Sequence, residues 1–261
     1  MNSIITIISI IVFLVIVLLF LYKYRSRKKH YIPITKNHDS FKHILENSGF
    51  SSKGKHVHDK NINRYTWAIN HEPNNSGFYL VRGNAYFHKY DYTKAIEDFS
   101  QTIKLNPKET IAYIYRGIAY ICKDDYIKAI EDFTQAINQN PDNNIAYTFR
   151  GHAYGKRNEY LKAINDYAQL IRIDPNGPDA YFQRGIIYGK KEDHAAAIED
   201  YTKAITIDPD SLFAYYYRGL EYEKTGEYGK AAADLEKLIK LDPDNLELKT
   251  DFQRIQNLQK K

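Results

Sequence analysis

Five arginines in this chain are each followed, sixteen residues later, by an aspartate. A guanidinium and a carboxylate can form two parallel hydrogen bonds, and a pair joined in this way can be buried, whereas either charge alone is very costly to bury. The spacing therefore predicts a structural row of ion pairs. The alternative is that the arginines present their charges to an acidic ligand. The pairs are Arg82–Asp98, Arg116–Asp132, Arg150–Asp166, Arg184–Asp200 and Arg218–Asp234.

Residues that could support catalysis are few. His56 and His58 could bind a metal ion, but no cysteine and no second pair of ligands lies at a useful spacing. Cys122 is the only cysteine, so an intramolecular disulfide is impossible. Glycine-rich phosphate loops and nucleophile motifs are absent from the sequence. We therefore expect no enzyme activity, metal or cofactor, and a hydrolase that uses the two histidines is the least favoured alternative.

The arginines and aspartates belong to a unit of 34 residues that occurs five times without a change in length. In the second copy, Tyr113, Gly117 and Tyr120 share one face of a first helix, and Ala129 and Phe133 share one face of a second. Polar residues separate the two helices, and a proline ends the unit. A repeated helix pair that cannot bury its apolar face alone predicts a stacked array.

The unit resembles the tetratricopeptide repeat. In the first copy, the small, aromatic and proline sites of that family are filled by Gly83, Tyr86, Ala95, Phe99 and Pro107. Later copies fill the same sites, with Leu235 replacing the aromatic residue in the last. Arg stands in every copy where the family usually has Leu before the glycine. The resemblance implies an all-α fold, a right-handed superhelical α-solenoid of helix-turn-helix repeats.

The resemblance also implies a ligand-binding groove lined by the first helix of each repeat. Family members that grip a C-terminal carboxylate use Lys, Arg and Asn there; only Asn84 matches, while Leu80, Tyr115, Ile145 and Phe149 replace the others. We therefore expect an apolar or aromatic peptide as ligand, and roughly half of the lining to pack between repeats instead. The implied lining is Leu80, Asn84, Ile114, Tyr115, Ile118, Phe149, His152, Phe182, Ile186, Tyr216, Tyr217 and Leu220.

An uncharged apolar run extends over residues 4–22, long enough as a helix to cross a bilayer. Five basic residues follow it directly, between Lys23 and Lys29, and no charged residue precedes it. Because basic flanks stay on the cytoplasmic side, we expect a single-pass transmembrane helix, with the short N-terminus outside and the repeats in the cytoplasm.

The charge of the repeats argues against nucleic acid as a partner. The chain has 37 Lys and Arg residues against 32 Asp and Glu residues, and the five basic residues near the N-terminus account for the difference. The rest of the chain is neutral, whereas binding to phosphates requires a basic surface.

These patterns predict nine segments. Residues 1–22 form the anchor, 23–60 a basic segment and polar linker, and 61–75 a half-repeat that covers the first face of the array. The 38–60 stretch could instead hold a decayed repeat. A capping helix follows the five repeats at 246–261, where one apolar stripe faces the array. The repeats themselves are 76–109, 110–143, 144–177, 178–211 and 212–245.

The function favoured by these features is that of a membrane-anchored scaffold that binds a protein or peptide partner. Two alternatives remain: a receptor resembling those of organelle import, and a structural protein that self-associates through the exposed ends of the array.

Overall fold

The computed structural model describes residues 55–260, and within them every regular element is an α-helix. The predicted all-α repeat fold is therefore confirmed. The twelve helices of this region are α1 Lys55–His71, α2 Ser76–His88, α3 Tyr92–Leu105, α4 Thr110–Cys122, α5 Tyr126–Gln139, α6 Asn144–Lys156, α7 Tyr160–Ile173, α8 Pro178–Lys190, α9 His194–Ile207, α10 Leu212–Lys224, α11 Tyr228–Leu241 and α12 Leu246–Gln259.

The turn inside each repeat has the same backbone conformation in all five copies, although the residue type at its centre varies. The residue before the cap of the second helix has a positive φ in all five repeats: Tyr90, Asp124, Asn158, Glu192 and Gly226. Only glycine adopts this conformation without strain. The cap that follows offsets part of that cost in three repeats, where an aspartate accepts a hydrogen bond from the backbone N–H three residues on.

Each helix packs against the next one in the chain, from α1 through α12. First helices of successive repeats also contact one another, as α2 does with α4 and α4 with α6, more extensively than second helices do. A stack whose first helices approach more closely is curved, with those helices on its inner side. We call the surface formed by α2, α4, α6, α8 and α10 the inner face.

Close packing within a repeat depends on the glycine after the arginine. A Cβ atom added to Gly117 would lie 2.8 Å from Cζ of Phe133, a side chain that is fully buried. Glycine therefore lets the two helices approach until the ring lies against the backbone.

Aromatic rings join one repeat to the next. Phe99 stacks on Tyr115 with ring centroids 5.6 Å apart, and Phe133 stacks on Phe149 at 5.9 Å. At the corresponding position of the fourth repeat stands Gln183, which is buried. Two clusters of buried apolar residues, one from Phe87 to Ile187 and the other from Phe182 to Ala214, both include residues of α8.

The two ends of the described region extend the array. Helix α1 begins at Lys55 rather than at 61. Its first turns contact the next helix pair, since His58 stacks on His88 at 5.0 Å and Asp59 pairs with Lys89, the residue that follows α2. At the other end, Leu248 and Ile255 of α12 are buried against the fifth repeat.

The proposed membrane span, residues 4–22, lies outside the described residues. Between residues 55 and 260, no helix is long and apolar enough to cross a membrane.

Candidate functional site

The structure brings all five arginines together with their aspartates. In each pair, Nε and one terminal nitrogen of the arginine donate to the two carboxylate oxygens over 2.6–2.9 Å. The aspartate side chains are 2–6 % exposed and the arginine side chains 15–21 %. The pairs thus form a row of nearly buried bidentate ion pairs along the array, which we call the ion-pair row.

A third contact links four of the five pairs to the preceding helix pair, and the sequence analysis missed it. The remaining terminal nitrogen of Arg116 donates to Ser100 Oγ over 3.0 Å, and that of Arg150 donates to Thr134 Oγ1 over 3.1 Å. Thr66 and Thr202 accept in the same way from Arg82 and Arg218. Each hydroxyl lies sixteen residues before its arginine, a spacing that could have revealed it.

The fourth repeat departs from this pattern because Ala168 stands where the others have a hydroxyl. Replacing Ala168 with threonine is expected to stabilise the protein by about 0.5–1.5 kcal/mol, since it supplies an acceptor for Arg184. Urea denaturation followed by circular dichroism measures the gain. The same substitution in an Arg184→Leu background is the control, and an equal gain there would mean that the new hydroxyl does not act through the arginine.

Tyrosine rings enclose the arginines as well. Arg150 lies 5.6 Å from the ring centroid of Tyr147 and 5.9 Å from that of Tyr154, and the other arginines lie at similar distances from equivalent rings. Burial alone would lower the pKa of Arg150, but the hydrogen bonds and charge of Asp166 raise it overall. Because two donor groups of each guanidinium already bond to the aspartate, the arginines are poorly placed to bind an acidic ligand. The geometry therefore favours a structural role for the ion-pair row.

The implied groove lining divides into two groups of equal size. Six side chains are buried and so pack between helices: Ile114, Ile118, Phe149, His152, Phe182 and Tyr216. The other six are half-buried, and a ligand on the inner face could contact them: Leu80, Asn84, Tyr115, Ile186, Tyr217 and Leu220.

The half-buried residues are held by the core below them. Tyr115 stacks on Phe99, and its hydroxyl pairs with the side chain of Asn84. Tyr217 meets Phe182 edge to face, with ring centroids 5.6 Å apart. Rigid aromatic side chains of this kind provide contact area at a small entropic cost.

Three lysines at the inner face were not identified from the sequence. Lys156, Lys190 and Lys224 are the last residues of α6, α8 and α10, so they occupy the same position in three successive repeats. Their recurrence every 34 residues is the signal that could have revealed them.

Lys224 differs from the other two because it has an acidic partner. Its Nζ donates to Oε1 of Glu221 over 2.8 Å, and the other oxygen of this buried carboxylate contacts Nδ1 of His194 at 2.6 Å. Glu221 stands where earlier repeats have Ala or Ile, and His194 stands where they have Tyr. The two departures from the repeat pattern therefore meet.

The residues considered for catalysis pack against neighbouring side chains. His58 lies in α1 rather than in a linker, and its ring stacks on that of His88, whose pKa is lowered by burial and by the His58 charge. Burial raises the pKa of the Cys122 thiol, which contacts Tyr92. The part of the chain that the structure describes contains no group of three or more residues able to hold a metal ion.

A curved stack of helix pairs with a repeated glycine contact defines an α-solenoid built from helix-turn-helix repeats. Tetratricopeptide repeat models match residues 76–109, 110–143, 151–192, 178–211 and 212–245. The chain belongs to the tetratricopeptide repeat family.

Several solved structures share this fold. A crystal structure of MamA is 27 % identical and covers 60 % of this chain and 92 % of its own, with a TM-score of 0.58. MamA from Desulfovibrio magneticus RS-1 is 19 % identical, with coverage of 66 % and 97 % and a TM-score of 0.62. YrrB, described as a repeat protein with an unusual peptide-binding site, is 21 % identical, with coverage of 72 % and 96 % and a TM-score of 0.60. No curated protein sequence matches the chain.

Proposed function

We propose that this protein is a scaffold that binds a peptide segment of a partner protein along its inner face. The observation that carries the proposal is the set of half-buried apolar side chains on four of the five first helices, Leu80, Tyr115, Ile186, Tyr217 and Leu220. An apolar surface that a rigid array leaves accessible is suited to a peptide with apolar or aromatic side chains. The peptide-binding site described for YrrB, a protein of the same fold, supports the same class of function.

Membrane anchoring is the second part of the proposal. It is supported by the uncharged run at residues 4–22 and by the basic residues that follow it. An anchor of this polarity would hold the array, and whatever it binds, at the cytoplasmic surface of a membrane. Self-association through the ends of the array is the competing structural role.

Site-specific photo-crosslinking tests the binding face. A benzophenone amino acid at Leu220, on the inner face, is expected to give a partner adduct in cells that express the full chain. The same group at Leu161 is the control, because that side chain is 72 % exposed on a second helix. Adducts of equal yield from both positions would contradict an inner-face site, and an adduct consisting only of two copies of this chain would favour self-association.

A further inference from the structure

Two lysines on the inner face hold the same position in neighbouring repeats. Lys156 and Lys190 end α6 and α8, and both side chains are accessible. Side chains of the two helices touch beside the lysines, since a Cβ added to Gly155 would lie 2.7 Å from Cδ1 of Ile187. The ammonium groups therefore belong to one surface patch, at the junction of the third and fourth repeats.

No acidic group in the described part of the chain compensates these charges. Lys224 pairs with Glu221, three residues before it, but the corresponding residues before Lys156 and Lys190 are Ala153 and Ile187. Neither of these two lysines forms a salt bridge within residues 55–260. The carboxylate of Glu221 does approach the backbone of Gly189, but both of its oxygens already contact His194 and Lys224.

The positive charge of Lys156 acts on its neighbour Lys190. Desolvation by the nearby protein lowers the pKa of Lys190, and repulsion from Lys156 lowers it further. His152, buried beside them, has its pKa lowered to about 3 by burial and then by the two lysines, so it is neutral near pH 7. The helix dipole favours a lysine at a helix C-terminus, and this explains why each lysine is tolerated on its own helix. It does not explain two neighbouring lysines without an acidic partner.

We propose that Lys156 and Lys190 bind acidic side chains of a partner peptide that lies along the inner face. This inference deepens the proposed function and rests on it. Two lysines from successive repeats are suited to two carboxylates spaced along an extended partner peptide. A single C-terminal carboxylate would leave one of the lysines without an acidic partner. Half-buried Ile186 lies on α8, the helix of Lys190, and half-buried Leu220 lies on α10. The bound segment would therefore also carry apolar residues. Binding should then weaken with salt, unlike binding to a purely apolar groove.

Binding of a defined acidic peptide tests the site. The probe is hexaglutamate, acetylated at its N-terminus and amidated at its C-terminus, with the full-length chain in detergent micelles and anisotropy as the measurement. Changing both Lys156→Gln and Lys190→Gln is expected to weaken binding about tenfold or more, equivalent to ~1.4 kcal/mol. The control changes Lys104→Gln and Lys203→Gln, which removes the same charge from exposed lysines on second helices that lack a salt bridge.

Amine labelling followed by mass spectrometry gives a second measurement that needs no variant. Hexaglutamate should protect Lys156 and Lys190 several-fold while Lys104 and Lys203 label as before. Equal losses of affinity in the two double variants, or no protection, would overturn the site. Tighter binding of hexaglutamine with a free C-terminal carboxylate would overturn the choice of acidic side chains. If the Leu220 adduct forms while hexaglutamate fails, the inference falls and the proposed function stands; loss of the adduct alone rejects the proposed function.

Discussion

Replacing Arg150 with leucine is expected to lower the free energy of unfolding by about 3 kcal/mol or more. The substitution leaves the carboxylate of Asp166, only 2 % exposed, without the two hydrogen bonds that now satisfy it. It also removes the bond from Arg150 to Thr134 of the preceding repeat. Urea denaturation monitored by circular dichroism measures the loss.

The matching double variant, Arg150→Leu with Asp166→Leu, should be much less destabilised, because no unpaired charge stays buried. Additive losses in the two single variants would mean that the residues act separately. The pH dependence of the free energy of unfolding provides a second control. In the Arg150→Leu variant, burial raises the folded-state pKa of Asp166 above its unfolded value, so stability is lost as the pH rises through that folded pKa. The deficit of this variant should therefore shrink as the pH falls toward about 4.

Replacing Phe182 with alanine is expected to lower the free energy of unfolding by about 3–5 kcal/mol. The ring is 4 % exposed and contacts the rings of Tyr201, Phe213 and Tyr217 at centroid distances of 5.6–6.4 Å. Truncation would leave a cavity at the centre of the second core cluster. Thermal and urea unfolding measure the effect.

Leu161→Ala is the matched control for this prediction, because that side chain is 72 % exposed and its truncation should change stability by less than about 0.5 kcal/mol. A Phe182→Ala variant that keeps its stability but loses a ligand would place the ring on the binding surface instead. Any loss of partner binding in this variant is otherwise a consequence of unfolding.

The sequence predicted those features that depend on residue spacing alone. The helix pairs and the approach of each Arg to its Asp follow from a repeat that never changes length, so one copy determines the others. Hydroxyl groups such as Thr134 were missed because they belong to the preceding repeat, and contacts between repeats do not appear in the pattern of one unit.

The inner face was predicted less well for a related reason. Periodicity places Phe149 and Tyr115 on the same side of their helices, yet Phe149 is buried and Tyr115 is only half-buried. The neighbouring repeat decides between these outcomes. Lys156 and Lys190 were not predicted either, because the repeat pattern does not show that these two lysines lack a salt bridge.

The junction between the third and fourth repeats lacks two of the connections made elsewhere. Ala168 offers no hydroxyl to Arg184, and Gln183 replaces the aromatic residue that stacks across other junctions. The stability of a repeat array is approximately the sum of contributions from its repeats and from the interfaces between them. The array therefore separates most easily at its weakest interface. Pulled from its two ends, this protein should therefore yield first at that junction, and separate into a block containing the first three repeats and a block containing the last two.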